Sequence, residues 1–262
     1  VLIWFGPNYL PKSSQQPGNP TLKILTFNVW GYNEHLEDVD AWLLELDPDV
    51  VLLQEISSGL ADGREQLINR RFPYRASQNS AVREFGSLIL SRYPILSEES
   101  LPDQGNQSQN RVTIDANGRI ITIYNVHMPQ PLGQSRLPLP HESFFARTIL
   151  SYDNTVRDEQ IRLLLQRIDG EENPVIVAGD FNMSDQTIVY QDMSAVLNDA
   201  FREAATGSGR SWPVRILDEI SPLIPPLLRV DYIWHSRHFR TVDAFLGPKL
   251  GSDHLPLFAE LE

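Results

Sequence analysis

VIVAGDFNM, residues 175–183, runs from four apolar residues into a glycine, a carboxylate and, two positions later, a carboxamide. Val175 to Ala178 read as a buried strand, a short continuous apolar run bounded by a turn. The chain then bends at Gly179 and presents Asp180 and Asn182 to the same place. A turn alone accounts for either residue, because Asp and Asn both hydrogen-bond their own backbone at strand ends. The pair becomes chemical only if other strand ends deliver partners to it.

Outward from this stretch, apolar runs alternate with helix-like segments. Leu22–Val29 and Val50–Leu53 read as strands, separated by a helix over Glu34–Leu46 with Leu36, Val39, Leu43 and Leu46 at helical spacing. Asp47-Pro48-Asp49 breaks that helix. Residues 58–71 look helical. Gly86–Leu90, Arg111–Ile114 and Ile120–Val126 read as strands, the last pair joined at Asn117-Gly118, a strong hairpin signal. The spacing of Ile161, Leu164, Leu165 and Ile168 predicts a helix over 155–169. Another helix follows Ser184, and strands are expected near 229–234, 240–246 and 255–261. Hairpins mixed with helical crossovers indicate an α/β fold with mixed sheets. Two long polar or proline-rich stretches, near 128–142 and 204–228, are the expected functional loops. No second linker interrupts the pattern, which reads as a single catalytic-sized domain over 21–262.

The chain has 262 residues, no cysteine and a net charge of −12 with histidine neutral. Disulfides and thiolate metal sites are therefore excluded, and a metal would need oxygen or imidazole ligands. The negative charge argues against broad adhesion to nucleic acid or to an anionic membrane face. It leaves room for a phosphate ester, because a bound divalent cation reverses the local sign. Residues 1–20 stand apart. VLIWFGPNYL, residues 1–10, is strongly apolar but too short to span a bilayer, and PKSSQQPGNP, residues 11–20, reads as a flexible linker. The expectation is that residues 1–5 end a membrane helix, with Trp4 and Tyr9 near the interface, in a trimmed or processed product. On that reading the chain is a membrane-tethered monomer with an extracytoplasmic catalytic domain. The alternative is an apolar segment packed on the domain.

Other strand ends repeat the pattern of the opening stretch. ILTFNVW ends in Asn28, VVLLQE in Glu55 and ITIYNVH in His127; LLRVDYIW carries Asp231; KLGSDHLPLF places Asp253 and His254 before the last strand. Singly, each has a structural explanation as a strand terminator or turn. Asp231 is the hardest to explain so, because an acid between Val230 and Tyr232 needs a buried partner. Together they suit metal-assisted attack of water on phosphorus. Glu55, Asp253 and the amide oxygen of Asn28 are hard oxygen ligands for Mg²⁺ or Mn²⁺. Asp180 would orient and deprotonate the water, with Asn182 fixing its geometry. His254, held as an imidazolium by Asp231, would donate to a phosphate oxygen, and His127 would act from the other side or protonate the leaving group. No lysine or serine is placed for a covalent route.

These motifs resemble the endonuclease/exonuclease/phosphatase superfamily, whose fold is DNase I-like. The stations run in family order from about Leu22 to Leu261: TFNVW, DPDVVLLQE, GSLILSRYPI, YNVHMP, GDFN, RVDYIW and GSDHLP. The resemblance implies a four-layered α/β sandwich of two mixed β-sheets flanked by helices. It also implies Mg²⁺-dependent hydrolysis of phosphodiesters or phosphomonoesters, with the matching residues in the roles just given. The substrate class stays open among nucleic acid, a lipid headgroup and a small phosphoester. The expectation is a nuclease-like or sphingomyelinase-like phosphodiesterase; the alternatives are a phosphomonoesterase on an inositol, sugar or nucleotide phosphate, or an inactive binding domain. GRSWPVR, residues 209–215, is the expected substrate contact, with Trp212 as a stacking face and Arg210 and Arg215 as phosphate forks. Arg136, Arg147 and Arg157 form a second candidate basic patch.

Overall fold

Each internal strand sorts its side chains by parity into two buried layers, which explains their continuous apolar runs. The computed structural model describes residues 12, 18, 20–57, 70–79, 85–101, 109–131, 152–214 and 225–262. The elements are β1 (Leu22–Asn28), α1 (Leu36–Leu46), β2 (Val50–Ser57), β3 (Tyr74–Asn79), β4 (Phe85–Ser91), β5 (Ile95–Ser100), β6 (Asn110–Ala116), β7 (Arg119–His127), α2 (Thr155–Asp169), β8 (Val175–Asp180), α3 (Ile188–Val196), β9 (Asn198–Asp199), α4 (Ala200–Ala204), β10 (Asp231–His235), β11 (Thr241–Leu246) and β12 (Leu257–Leu261). They form two six-stranded sheets, in the orders β11-β12-β1-β2-β4-β3 and β5-β6-β7-β8-β10-β9. Each sheet is mixed: β1 and β2 are parallel, as are β7 and β8, and the other pairings are antiparallel.

Ile24, Val50, Leu52, Ile121, Ile123, Ile176, Ala178 and Ile233 fill the layer between the sheets. The alternate residues Leu25, Phe27, Val51 and Leu53 face α1 through Val39 and Leu43. On the other sheet, Tyr124, Val126, Val175, Val177, Tyr232 and Trp234 face α2 and α3 through Ile161, Leu164, Val189 and Met193. Helix, sheet, sheet and helices make the four-layered sandwich that the motifs imply. Every strand and helix expected within the described residues is present, with ends shifted by a few positions. The Asn117-Gly118 turn carries φ of 58° and 89°, the left-handed pair a two-residue hairpin requires.

The strands that the apolar pattern did not announce are β3, β5 and β9, and all three lie at sheet edges. An edge strand has one neighbour and a solvated side, so YRASQN and ILSEES carry polar residues instead of an apolar run. The five-residue α4 is too short to show a helical period. Of the helix expected over 58–71, only residues 70 and 71 are described, and both are helical. Most of the tail and linker over 1–20, Arg136, Arg147 and Arg215 lie outside the described residues. Among the described residues, no helix is long and apolar enough to cross a membrane.

Candidate active site

The site begins where the layer between the sheets turns from apolar to polar. The parity that buries Ile176 and Ala178 carries on to Asp180, and the parity of Ile121 and Ile123 carries on to Asn125 and His127. Ile24 leads in the same way to Asn28, Val50 and Leu52 lead to Gln54, and Ile233 shares its face with Asp231. Strand register then aligns them: His127 pairs with Asp180, Asp180 with Asp231, and Asn28 with Gln54. The C-terminal ends of both parallel pairs therefore deliver polar groups to one end of the sandwich.

Beneath the site a buried amide belt ties the sheets together. Gln54 Nε2 donates to Asn125 Oδ1 at 2.7 Å and to Thr26 Oγ1 at 3.0 Å. Asn125 Nδ2 returns a bond to the Leu53 carbonyl at 3.1 Å. Each amide faces apolar neighbours along its own strand, so these bonds offset the loss of water.

Glu55 breaks the parity rule. Regular alternation would turn it away from the layer between the sheets, but the register of β2 against β4 shifts between Gln54 and Ile56, and Glu55 has φ 56°. Such a bulge re-aims a side chain. The carboxylate accepts from Asn28 Nδ2 at 3.2 Å and lies 3.7 Å from His127 Nε2. Asn28 Nδ2 also donates to Asp180 Oδ2 at 3.1 Å, while Asn28 Oδ1 accepts from the Trp30 N–H at 3.1 Å.

Gly179 has φ 147°, and a Cβ there would collide with the carbonyl of Val126 on the neighbouring strand. Only glycine permits that approach, which sets Asp180 beside His127. Asn182 also adopts a left-handed backbone, with φ 47°. Its N–H donates to Asp180 Oδ1 at 2.9 Å, and its Nδ2 donates to the Met128 carbonyl at 3.0 Å and to Asp180 Oδ2 at 3.3 Å.

His254 completes the group from the loop before β12. Its Nδ1 meets Asp231 Oδ2 at 2.9 Å, and its Nε2 lies 3.7 Å from Asp180 Oδ2 and 4.0 Å from Asp253 Oδ1. Ser252 fixes the loop: its hydroxyl accepts from the His254 N–H at 3.0 Å and donates to the Asn28 carbonyl at 2.7 Å. Trp212 Nε1 donates to Asp253 Oδ2 at 3.0 Å. Backbone bonds from Val214 to Asp253 and from Leu255 to Ser211 dock the 205–214 arm on the same loop.

Electrostatics follow from this crowding. Burial pushes the Asp180 carboxyl up to about 7, and Asp231 adds to the rise; His254, the Asn182 N–H and Asn28 oppose it. Burial works against the His254 cation, but Asp231 and Asp180 outweigh it and hold the imidazolium well above its usual range. The ion-pair partners of Glu55, Asp180, Asp231 and Asp253 among the described residues are His127 and His254, with no lysine or arginine. Ligand atoms of Asp180, Asp231 and His254 lie within 4.8 Å of one another. Asp231 Oδ1 is buried with no hydrogen-bond partner among the described residues. A cluster of carboxylates balanced only by imidazoles, with an orphan carboxylate oxygen, fits a divalent cation.

The structure thus brings together Asn28, Glu55, His127, Asp180, Asn182, Asp231, Asp253 and His254. Arg210 is exposed, and Trp212 is half-buried against Asp253. Arg157 departs from expectation. It is 2% exposed, inside the fold rather than in a basic surface patch, because its guanidinium is bonded to Asp158 and to the Asn182 carbonyl. Gln54, Asn125 and Ser252 support the site and were not singled out in the sequence. Strand parity could have found the first two, since each continues an inward-facing row.

A model of the endonuclease/exonuclease/phosphatase family matches residues 25–254. Among curated proteins, the chain is similar to the inositol phosphosphingolipids phospholipase C of Schizosaccharomyces pombe, at 27% identity over 209 residues. The alignment covers 70% of this chain and 46% of that protein, so the chain spans about half of its length. It is also similar to exodeoxyribonuclease III of Haemophilus influenzae, at 22% identity over 217 residues, 75% of this chain and 72% of the other. Among solved structures, the endonuclease/exonuclease/phosphatase from Bacteroides vulgatus superposes with a TM-score of 0.68 at 19% identity, covering 93% and 99% of the two chains. Truncated Caenorhabditis elegans TDP2 superposes with a TM-score of 0.69 at 14% identity, covering 92% and 97%. These structural likenesses establish the fold.

Proposed function

The chain belongs to the endonuclease/exonuclease/phosphatase family, and from that premise we propose that it hydrolyses a phosphodiester by direct attack of water. The observation that carries the proposal is Asp180, a buried carboxylate gripped by the Asn182 N–H at 2.9 Å with the His254 imidazole 3.7 Å away. Asp180 orients the attacking water and takes its proton. Asn182 fixes the carboxylate in the orientation that this requires. His254, kept charged by Asp231, donates from Nε2 to a non-bridging phosphate oxygen as charge builds there. His127 approaches from the other side and donates to the second oxygen or to the leaving group.

Glu55, with Asn28 and Asp253, would hold Mg²⁺ or Mn²⁺, and the neighbouring carboxylates of Asp180 and Asp231, within 4.8 Å of His254, would add negative charge that favours the ion. Asn28 would serve through Oδ1, which keeps a second lone pair beside its bond from Trp30. When bound, such an ion supplies Lewis-acid polarisation of the phosphoryl group and neutralises charge on the leaving oxygen.

The charge of the site favours a diester over a monoester. A monoester dianion would call for lysine or arginine, and among the described residues the site's carboxylates have only histidines as cationic partners. The net charge of −12 favours a lipid headgroup or a small soluble diester over a nucleic acid with many further phosphates. Trp212 and the exposed Arg210 are the proposed substrate contacts, together with Arg215. The test is a panel with Mg²⁺ and Mn²⁺ against bis-p-nitrophenyl phosphate, plasmid DNA, sphingomyelin and inositol phosphates. Metal-dependent cleavage of a diester is expected; silence on every substrate would overturn the proposal in favour of a binding domain. For residues 1–5 we propose the end of a membrane helix that tethers the domain; the sequence of the full gene product tests it, and no apolar span upstream of Val1 would overturn it.

A further inference from the structure

We propose that Arg157 is a positioning residue for this hydrolysis, clamping the Asn182 carbonyl and so holding Asn182 on Asp180. The inference rests on the function proposed above. Arg157 sits in the first turn of α2 and is 2% exposed. A guanidinium that deep in a protein is tolerated only when its donors are met. Nε and Nη2 donate to Asp158 Oδ1 at 2.9 and 2.6 Å, and Nη1 donates to the Asn182 carbonyl at 2.7 Å. Asp158 is itself held through its other oxygen by Asn154 Nδ2 at 2.7 Å, at the start of the helix. The fork is therefore anchored in α2 before it reaches the site.

What it reaches is a residue with two unusual properties. Asn182 has φ 47°, a conformation that non-glycine residues adopt only when their surroundings impose it. Its N–H and carboxamide are also the two groups from this residue that hold Asp180. Phe181 and Met183 on either side are buried among α2 and α3, which fixes the flanking backbone. The carbonyl of residue 182 is then the handle that sets its rotation, and a charged donor holds it more strongly than a neutral one would. An ion pair serving stability alone would be complete with Asp158. The third bond, aimed at a left-handed peptide beside the water-activating carboxylate, is what assigns Arg157 to positioning.

The test compares Arg157→Gln, Arg157→Lys and Asp158→Asn with the native chain in bis-p-nitrophenyl phosphate hydrolysis, alongside amide hydrogen exchange by NMR. Misplacing a group next to the chemistry lowers turnover more than binding, so Arg157→Gln should lose about tenfold or more in kcat with KM within about twofold. The Asn182 amide should exchange faster in that variant while Val177 and Ala178 stay protected. Arg157→Lys should recover part of both signals. Asp158→Asn keeps an acceptor oxygen for Nε and Nη2 and removes only the charge, so it should lower stability but keep kcat within about threefold. Native kcat and slow Asn182 exchange in Arg157→Gln would overturn the proposal. So would a loss of kcat accompanied by faster exchange throughout β8, or an Asp158→Asn variant as slow as Arg157→Lys. If Arg157→Gln does not fold, the last comparison decides alone. If the native chain cleaves nothing, the function proposed above fails, and Asn182 exchange still tests the clamp.

Discussion

Replacing Asp231 with asparagine keeps the shape of the side chain and removes the charge that faces His254 Nδ1 at 2.9 Å. At an effective dielectric of about 20, unit charges some 3 Å apart interact by roughly 5 kcal/mol. In the native chain Asp231 is the largest influence raising His254, and burial is the influence opposing it. With Asp231 gone, burial is opposed mainly by Asp180. The His254 imidazole should then release its proton at a lower pH than in the native chain. A neutral imidazole can still hydrogen-bond, but it no longer places a cation against the developing phosphate charge. Losing one such donor lowers kcat by about 10²–10³-fold. Imidazole nitrogen shifts in the metal-free protein read the protonation state, and bis-p-nitrophenyl phosphate turnover reads the consequence. A ring in Asp231→Asn that keeps its second proton to as high a pH as in the native chain would refute the electrostatic reasoning; near-native kcat with a neutral ring would refute the role given to His254.

Three further outcomes are expected. Glu55→Gln should weaken Mg²⁺ or Mn²⁺ binding by about tenfold or more in calorimetry, as loss of a charged ligand does, and unchanged affinity would remove Glu55 as a principal ligand. Gly179→Ala should destabilise the chain by about 2–4 kcal/mol in urea unfolding, because its Cβ meets the Val126 carbonyl of a parallel neighbour; a loss below about 0.5 kcal/mol would show that the strands can part. The metal-free protein should lose stability as pH rises from about 4 to beyond 7 through the Asp180 and His254 protons. Both groups hold protons more tightly folded than unfolded, so their contribution is complete at low pH and lost as pH climbs through the folded values. Thermal melts with and without Mg²⁺ should separate more at pH 8 than at pH 5, and equal separation would contradict this.

Legibility in the sequence followed the number of covered faces. Strands with neighbours on both sides and layers above and below, such as Val175–Asp180 and Val50–Ser57, carry unbroken apolar runs up to the site and are visible by them. β3 and β5, each bonded on one side, carry no such demand and escaped notice. The acidic, amide and imidazole residues were visible because each interrupts or ends an apolar run. Their separate supports were not. Glu55 faces the site through a bulge that no composition signals, and the Ser252 bond to the Asn28 carbonyl links positions far apart in the chain. Arg157 was misread for a related reason. On a helix surface an arginine is ordinarily solvated, and only the tertiary approach of Asn182 and the neighbouring Asp158 makes its burial tolerable.

The strand register explains why the site is electrostatically tense. His127, Asp180 and Asp231 sit opposite one another on three bonded strands, and the amide belt of Gln54 and Asn125 locks that sheet to its partner. Carboxylates on flexible loops relieve mutual repulsion by moving apart, but carboxylates fixed by a ladder cannot. Repulsion between Asp180 and Asp231 must therefore be met by protons or by an external cation. In the metal-free protein protons contribute to this: burial first and Asp231 after it push the Asp180 carboxyl up to about 7, and Asp231 and Asp180 hold the proton on His254. A divalent cation entering this group competes with those protons, so its affinity should rise with pH until both have left. The rigidity that makes the apo site unfavourable also keeps Asp180 oriented for water, and a site able to relax would lose that orientation.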